Sequence, residues 1–525
     1  MQRPVRWFTV VASALALLLG GACVAGSPPA TGPAPSPGIP SPDTPSPDSS
    51  DTPALPLAGR PAGPLYGIGW EISTGASYLS RLDPRTLLPE AGRPRLRVDG
   101  LAAWTVAPDR TVALFGPGDA SGANLADASI ADDASIHVVD LGRMRQTAVI
   151  KAAAEVGSPR AALWLGHGRV LLLGIAEDQR SVEHDGVTSM VVRPALVATI
   201  LDVDARRVVA QRRHPLGARA EDPSAAEPAG AAEAVDVTAV EPARAGLVVL
   251  LQPADRIGTV EVGRVDAGGA FTFVRLDRVT AGFRRAPDGG DVGSRQNVPG
   301  LAVDAQSDRA YVVAAGSPVA EVDLTAARPA VGYHSLTVPG RAPSVLGMLR
   351  RALVPAAPAA EAKLQSGPER HALWLGGGRL AVWGTDADFS GTDGAATGGS
   401  RPSGLQIIDT RDWSVRTLDP RVGQVVRAEG RLVTAGVTTR RSDDADMVTS
   451  GDGLRIRVPG PRQPAVHLYA GRPIEWLQAS GRYAYADLTD PNAGTAGASG
   501  YAVIDTRTGT VVGEHRGRPL PDLLD

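Results

Sequence analysis

Cysteine is nearly absent from this chain of 525 residues, since Cys23 is the only one. No intrachain disulfide can form, so no disulfide framework supports the fold. Lysine is almost as rare, with only Lys151 and Lys363. Lysine and arginine together number 53 against 56 acidic residues, for a net charge of -3. A charge so close to balance provides no general attraction for nucleic acid, and we expect no nucleic-acid partner.

Motifs that indicate catalysis by themselves are also missing. The eight histidines are scattered, and neither a His-Glu-x-x-His pair nor a nucleophile elbow occurs. Asparagine is limited to Asn124, Asn297 and Asn492. Any catalytic or metal site must therefore be built from residues that the fold brings together from distant parts of the chain.

The only long apolar run lies near the N-terminus. Arg3 and Arg6 precede an apolar segment at residues 7–19, and small residues lead from there to Cys23. This order is typical of a secretory signal, so we expect residues 1–22 to form a signal peptide. Residues 19–23 resemble the lipobox of bacterial lipoproteins, with leucine one place farther from the cysteine than usual. The resemblance implies a lipid on Cys23; cleavage by an ordinary signal peptidase is the alternative.

Residues 23–64 are expected to form a linker. From residue 27 onward the composition is mostly Pro, Ser, Ala, Gly, Asp and Thr, which offers too little apolar surface for a core. With a lipid on Cys23, this segment would tether the rest of the chain to the outer face of the cytoplasmic membrane. We therefore expect the membrane to be a partner through the lipid anchor.

From residue 65 onward the chain repeats short strand-like phrases. The clearest pair is Ala-Leu-Trp-Leu-Gly-His-Gly-Arg at residues 162–169 and Ala-Leu-Trp-Leu-Gly-Gly-Gly-Arg at residues 372–379. Hairpins of this apolar type alternate with hairpins that end in a more polar strand, which makes a four-stranded meander. One meander cannot cover both of its faces, so the pattern predicts an all-β fold, a β-propeller occupying residues 65–525.

The two ends of the propeller are expected to share one blade. Residues 65–70 have the pattern of a second strand, whereas residues 517–524 repeat the phrasing of a first strand. Pairing the C-terminal strand with the N-terminal blade would close the ring and remove exposed strand edges. The repeat count then predicts eight blades, with seven as the alternative if one degenerate unit is an insertion.

Several phrases resemble those of YVTN-type β-propellers. Residues 300–314 contain Tyr311, Val312 and Val313 where that tetrapeptide begins, and residues 405–411 and 501–512 are similar to the hairpin that follows it. The complete tetrapeptide does not occur. The resemblance implies a propeller and transfers no catalytic residue, because that family is defined by its scaffold.

Recurring aspartates and tryptophans are interpreted as structural. The aspartates open hairpin turns, where a carboxylate can accept hydrogen bonds from nearby backbone amides: Asp83, Asp140, Asp202, Asp323, Asp409 and Asp505. The tryptophans fall at matching places in first strands, where packing between blades requires large apolar side chains: Trp104, Trp164, Trp374 and Trp476.

Only a few residues are candidates for binding or chemistry. Asp386, Asp388 and Asp393 alternate in a Gly-containing loop, as a calcium site needs, although a solvated acidic loop is the alternative. No other cofactor is expected. The polar exceptions in the mostly apolar first strands are Glu241, Asp304 and Glu475, which we expect to face the channel.

An apolar stripe near residues 344–364 predicts a short helical insertion. Gly- and Ala-rich insertions are expected to extend from the blades at residues 120–134, 177–193, 217–233, 283–297 and 385–403.

These features predict a monomeric, lipid-anchored extracytoplasmic propeller that binds an envelope protein or a small ligand. The alternative is a propeller enzyme, a lactonase-like hydrolase or a quinone-dependent dehydrogenase, with a site at the channel. Such an enzyme needs three or more carboxylate, imidazole or amide side chains that converge at one channel mouth.

The lipid anchor can be tested on the native protein. Mass spectrometry of the mature N-terminus is expected to find a chain that begins at Cys23 and carries the mass of acyl groups. An unmodified Cys23, or cleavage elsewhere, would contradict the lipoprotein prediction.

Overall fold

The structure is a computed structural model in which seventeen stretches of the chain are described. They are residues 63–71, 76–98, 101–117, 135–151, 158–184, 187–217, 219–220, 234–244, 246–254, 256–283, 296–326, 329–336, 369–388, 399–441, 447–457, 465–488 and 500–524. Cys23, the linker and the insertion near residues 344–364 lie outside them. Within these stretches the regular structure is all β, and no helix is long and apolar enough to span a membrane.

Eight antiparallel sheets form the molecule, and each is one blade. Blade 1 contains β1 (Leu65–Glu71), β2 (Ala76–Leu82), β3 (Leu96–Arg97) and β35 (Asp522–Leu524). Blade 2 contains β4 (Leu101–Val106), β5 (Val112–Pro117), β6 (Ser135–Asp140) and β7 (Arg145–Lys151). Blade 3 contains β8 (Ser158–Gly166), β9 (Arg169–His184), β10 (Val187–Asp202), β11 (Arg207–Pro215) and the short β12 (Arg219–Ala220). Blade 4 contains β13 (Val235–Ala243), β14 (Gly246–Pro253), β15 (Ile257–Asp266), β16 (Phe271–Phe283) and the short β17 (Gln296–Asn297).

The second half of the chain forms the other four blades in the same way. Blade 5 contains β18 (Gly300–Asp304), β19 (Arg309–Val313), β20 (Val319–Asp323) and β21 (Ala330–His334). Blade 6 contains β22 (Glu369–Gly376), β23 (Arg379–Asp388), the short β24 (Gly399–Pro402), β25 (Leu405–Asp409) and β26 (Ser414–Asp419). Blade 7 contains β27 (Val422–Ala428), β28 (Arg431–Arg441), β29 (Met447–Arg457) and β30 (Val466–Leu468). Blade 8 contains β31 (Ile474–Ser480), β32 (Tyr483–Leu488), β33 (Gly500–Asp505) and β34 (Thr510–His515).

The molecule is an eight-bladed β-propeller, so the predicted count of eight is confirmed and the alternative of seven is wrong. Blade 1 joins the two ends of the chain, as predicted. Strand β35 occupies the innermost position and pairs antiparallel with β1 through Tyr66 with Leu524, Gly67 with Leu523 and Ile68 with Asp522. The ring closes because the end of the chain supplies the strand that its beginning lacks.

The core consists of apolar clusters between neighbouring blades. Eight such clusters occur in the described residues, one at each of the eight blade interfaces. For example, Leu250 of blade 4 packs with Leu301 of blade 5. The four matching tryptophans each pack in one of these clusters, which confirms their structural interpretation: Trp104, Trp164, Trp374 and Trp476.

The recurring aspartates stabilise turns, as predicted. Each accepts a backbone N–H bond of 2.8–3.0 Å from two or three residues further along: Asp83, Asp140, Asp202, Asp323, Asp409 and Asp505. A carboxylate that caps its own turn in this way fixes the hairpin without any ligand. The predicted insertion at residues 177–193 is mostly regular strand, because β9 and β10 pair with each other along their whole length.

The interface between blades 8 and 1 is held by hydrogen bonds as well as by apolar packing. We call this interface the seam. We call residues 517–524, which end in β35, the closing segment. The side-chain amide of the buried Gln478 donates from its nitrogen to Pro521 O at 3.4 Å and accepts at its oxygen from Leu523 N at 3.3 Å. The hydroxyls of Tyr485 and Tyr501 donate to Pro84 O at 3.1 Å and Thr86 O at 2.9 Å. Blade 8 thus binds both parts of blade 1.

Replacing Gln478 with leucine is expected to weaken the closure of the ring. The change leaves Leu523 N and Pro521 O buried without these partners, which costs roughly 1–3 kcal/mol. The thermal unfolding midpoint should fall, and proteolysis near residue 520 should become faster. As a control, Gln211→Leu removes a 3.1 Å bond to Thr199 on blade 3. Equal effects of both variants on cleavage near residue 520 would contradict a special role for Gln478.

Candidate functional site

The three polar candidates of the first strands have different surroundings. Glu241 lies on β13 opposite Val248, on the face of blade 4 that packs against blade 5. Burial raises the pKa of its carboxyl group to about 7. Asp304 is the last residue of β18, where it accepts bonds from Gln306 N at 3.1 Å and Ser307 Oγ at 2.5 Å. It therefore caps a turn. Glu475 lies on β31, and its side chain is outside the described part of the structure.

Of the three candidate calcium ligands, only Asp386 has a described side chain. The carboxylate of Asp386 forms an ion pair with Arg370 across the β22–β23 hairpin. Asp388 is the last residue of β23, and its side chain, like all of Asp393, lies outside the described part. Within the described residues, no group of three or more His, Cys, Asp or Glu side chains is arranged to hold a metal ion.

A carboxyl–imidazole pair that was not predicted lies at the start of β22. Glu369 Oε1 is 3.3 Å from His371 Nε2, and the His371 ring stacks on Trp383 with centroids 5.4 Å apart. Burial raises the pKa of Glu369 to about 7 and lowers that of His371 to about 4. The imidazole is therefore neutral at pH 7, and the carboxyl group can hold a proton. The pair combines a carboxyl and an imidazole group, two of the types that the enzyme alternative needs, and it lies on the face of blade 6 that packs against blade 7.

The position of this pair depends on close contact between blades 5 and 6. Arg370 N donates to Val298 O at 2.8 Å, and a Cβ added at Gly300 would lie 2.8 Å from Ala372 N. In the sequence, the available signal is the charged run of residues 369–371 directly before a repeat phrase. Such a run is typical of the exposed boundary of a strand, and it does not indicate that two of its side chains are half-buried and lie next to each other.

A cleft of about 350 Å³ opens beside the seam, a volume within the range of small-molecule sites. We call it the seam cleft. Blade 1 contributes β1, β2 and the chain that follows them, blade 8 contributes one tyrosine, and the closing segment contributes the opposite wall. The lining residues are Gly69, Glu71, Tyr78, Ser80, Leu82, Leu87, Leu88, Pro89, Arg95, Tyr501, Gly517, Arg518, Pro519 and Pro521.

Room in the seam cleft comes from a missing side chain. Tyr78 pairs with Gly69 in the β1–β2 register, so the position opposite the tyrosine ring carries no Cβ. A Cβ added at Gly69 would meet only Pro521 Cβ, at 4.0 Å. At Gly67, two residues back along β1 and on the same face, an added Cβ would lie 2.6 Å from Leu82 Cδ1. The cleft is thus open at Gly69 and closed at Gly67.

The polar groups of the seam cleft lie on its rim and floor. The Arg95 guanidinium sits 4.4 Å from the centre of the Tyr78 ring and 3.5 Å from Glu71. Burial raises the pKa of Tyr501 to about 12, so its hydroxyl stays protonated and donates to Thr86 O. Burial and the charge of Arg518 lower the pKa of the neighbouring His515, so its ring is neutral near pH 7. The arrangement can bind a small molecule that combines a flat body with polar groups.

No family model matches the sequence, and no curated protein matches it. Solved structures similar to the chain include the β-propeller domain of the Trilobed protease from Pyrococcus furiosus, at 9% identity and a TM-score of 0.32 over 84% of this chain and 88% of that one. A putative 6-phosphogluconolactonase from Bacteroides uniformis is 9% identical, with a TM-score of 0.34 over 87% of this chain and 97% of that one. The WD40 domain of SCAP from fission yeast is 9% identical, with a TM-score of 0.29 over 79% of this chain and 84% of that one. Identities this low bear on the fold alone.

The buried carboxyl group of Glu241 should make stability depend on pH. The folded pKa of about 7 exceeds the ordinary 4.5, so between these pH values the folded state keeps a proton that the unfolded chain loses, and stability declines as pH rises from 4.5 to about 7. Glu241→Gln should therefore match the wild type near pH 5 and exceed it at pH 8, by on the order of 1–3 kcal/mol.

The measurement is the thermal midpoint of both proteins at several pH values. Gln211→Leu is the control, since it removes no titratable group and its difference from the wild type should not change with pH. A Glu241→Gln variant that is less stable than the wild type at pH 8 would contradict the prediction.

Proposed function

We propose that this protein is a lipid-anchored binding propeller on the outer face of the cytoplasmic membrane, and that it binds a small molecule in the seam cleft. The expected signal peptide, the lipid on Cys23 and the Pro/Ser-rich linker support the location. We propose that it acts as a monomer. Its role is recognition of a ligand outside the cytoplasm.

The single observation that supports this function best is the open space at Gly69 next to Tyr78, Arg95 and Tyr501. Concave sites lined by apolar and aromatic groups with a few polar ones are the usual places for small ligands. The seam cleft has this composition, whereas the Glu369–His371 pair on blade 6 is not among the residues that line it. This comparison favours binding over catalysis.

Filling the seam cleft should abolish binding there without disturbing the fold. Gly69→Val places a branched side chain where only Pro521 lies near, so the variant should fold. Two fluorescent probes with the same rings, the neutral phenylnaphthylamine and the anionic anilinonaphthalene sulfonate, can report binding. At least one should bind the wild type saturably, and Gly69→Val should weaken it by roughly tenfold or more.

Gly69→Ala is the graded control, since one methyl group fills only part of the space and should give an intermediate loss. Thermal midpoints of both variants check that the fold is intact. Binding of both probes with unchanged affinity in Gly69→Val would place their site elsewhere and would rule out the seam cleft as the ligand site.

A further inference from the structure

We infer that the ligand of the seam cleft is a small organic anion with a flat, largely apolar body, its charge held by Arg518. This inference rests on the proposed function and adds the chemical class of the ligand. It follows from the charges around the cleft, the state of each nearby titratable group and the shape of the walls.

Positive charge exceeds negative charge at the seam cleft. Two guanidinium groups, Arg95 and Arg518, line it together with a single carboxylate, Glu71. Glu71 is already paired with Arg95 at 3.5 Å. Arg518 is exposed, and within the described chain no carboxylate pairs with it. One cation is therefore left at the rim without a counter-charge.

The neighbours of Arg518 do not offset its charge. The Tyr501 hydroxyl stays protonated because burial raises its pKa, and Arg518 itself opposes that rise. His515 packs on the Tyr501 ring with centroids 4.8 Å apart and is neutral near pH 7 because burial and Arg518 lower its pKa. An anion at the rim would thus meet an unpaired guanidinium, which is the strongest donor for carboxylate, sulfonate or phosphate oxygens.

The walls select the shape of the ligand body. Tyr78 faces the space at Gly69, and Pro519 and Pro521 form the opposite side. The Arg95 guanidinium lies over the Tyr78 ring, 4.4 Å from its centroid, so a ligand on that side would meet the guanidinium plane as well as the ring. A planar apolar body can stack between these groups, since aromatic faces, guanidinium planes and proline rings all pack against flat molecules.

The two fluorescent probes separate charge from shape, because they share their rings and differ in the sulfonate. Anilinonaphthalene sulfonate should bind the full-length protein roughly tenfold more tightly than phenylnaphthylamine, and only its affinity should fall as salt is added. Arg518→Ala should weaken the sulfonate probe roughly tenfold more than it weakens the neutral probe. Arg516→Ala removes an exposed arginine two residues away that does not line the cleft, and it should change neither affinity.

The failures of the two proposals can be told apart. Equal affinities for both probes, or an Arg518→Ala variant that binds the sulfonate probe normally while Gly69→Val loses both, would overturn the anionic class and leave the seam cleft as a ligand site. If neither probe binds the wild type, or if Gly69→Val binds both normally, the proposed function fails and the ligand class fails with it.

Discussion

Every blade of this protein has two apolar faces, and neither can be covered within the blade itself. A four-stranded meander would expose both faces to water, so the fold is stable only when each blade lies between two others. The eight apolar clusters are the result, one at each interface. The matching tryptophans, the turn aspartates and the repeated hairpin phrases all serve this stacking. The repeats therefore describe the scaffold, and binding residues have to be sought where the repeats differ.

The seam is the interface between blade 8 and the blade that both ends of the chain share. Seven blades are continuous in sequence, whereas blade 1 must capture a three-residue strand from the end of the chain. So short a strand contributes few ladder bonds, and Gln478, Tyr485 and Tyr501 add side-chain hydrogen bonds to the backbone of blade 1. The seam cleft lies beside this composite interface, where a glycine on β1 and prolines of the closing segment leave the blades less than fully packed.

The sequence carries enough information to predict the scaffold but only part of the site. Strand periodicity, the paired phrases and the resemblance of residues 517–524 to a first strand predict eight blades and their closure, because these signals are local and repeated. The seam cleft depends on contacts such as that between Tyr501 and Thr86, which are 415 residues apart. Its volume depends on which side chains happen to be small where those segments meet. Likewise, Glu369 and His371 lie in a charged run, and their partial burial follows from Trp383 on the next strand and from the packing of blade 6 against blade 7.

The sharing of blade 1 by both ends of the chain has a mechanical consequence. The described chain enters blade 1 at β1, which lies between β2 and the closing strand β35. Tension applied at this point of entry would act first on the strand that keeps the ring shut, rather than on a strand at the rim. Peeling β1 away would separate β35 from blade 1 and pull apart the walls around Gly69. Binding of the proposed ligand and the mechanical stability of the ring would then depend on the same few hydrogen bonds.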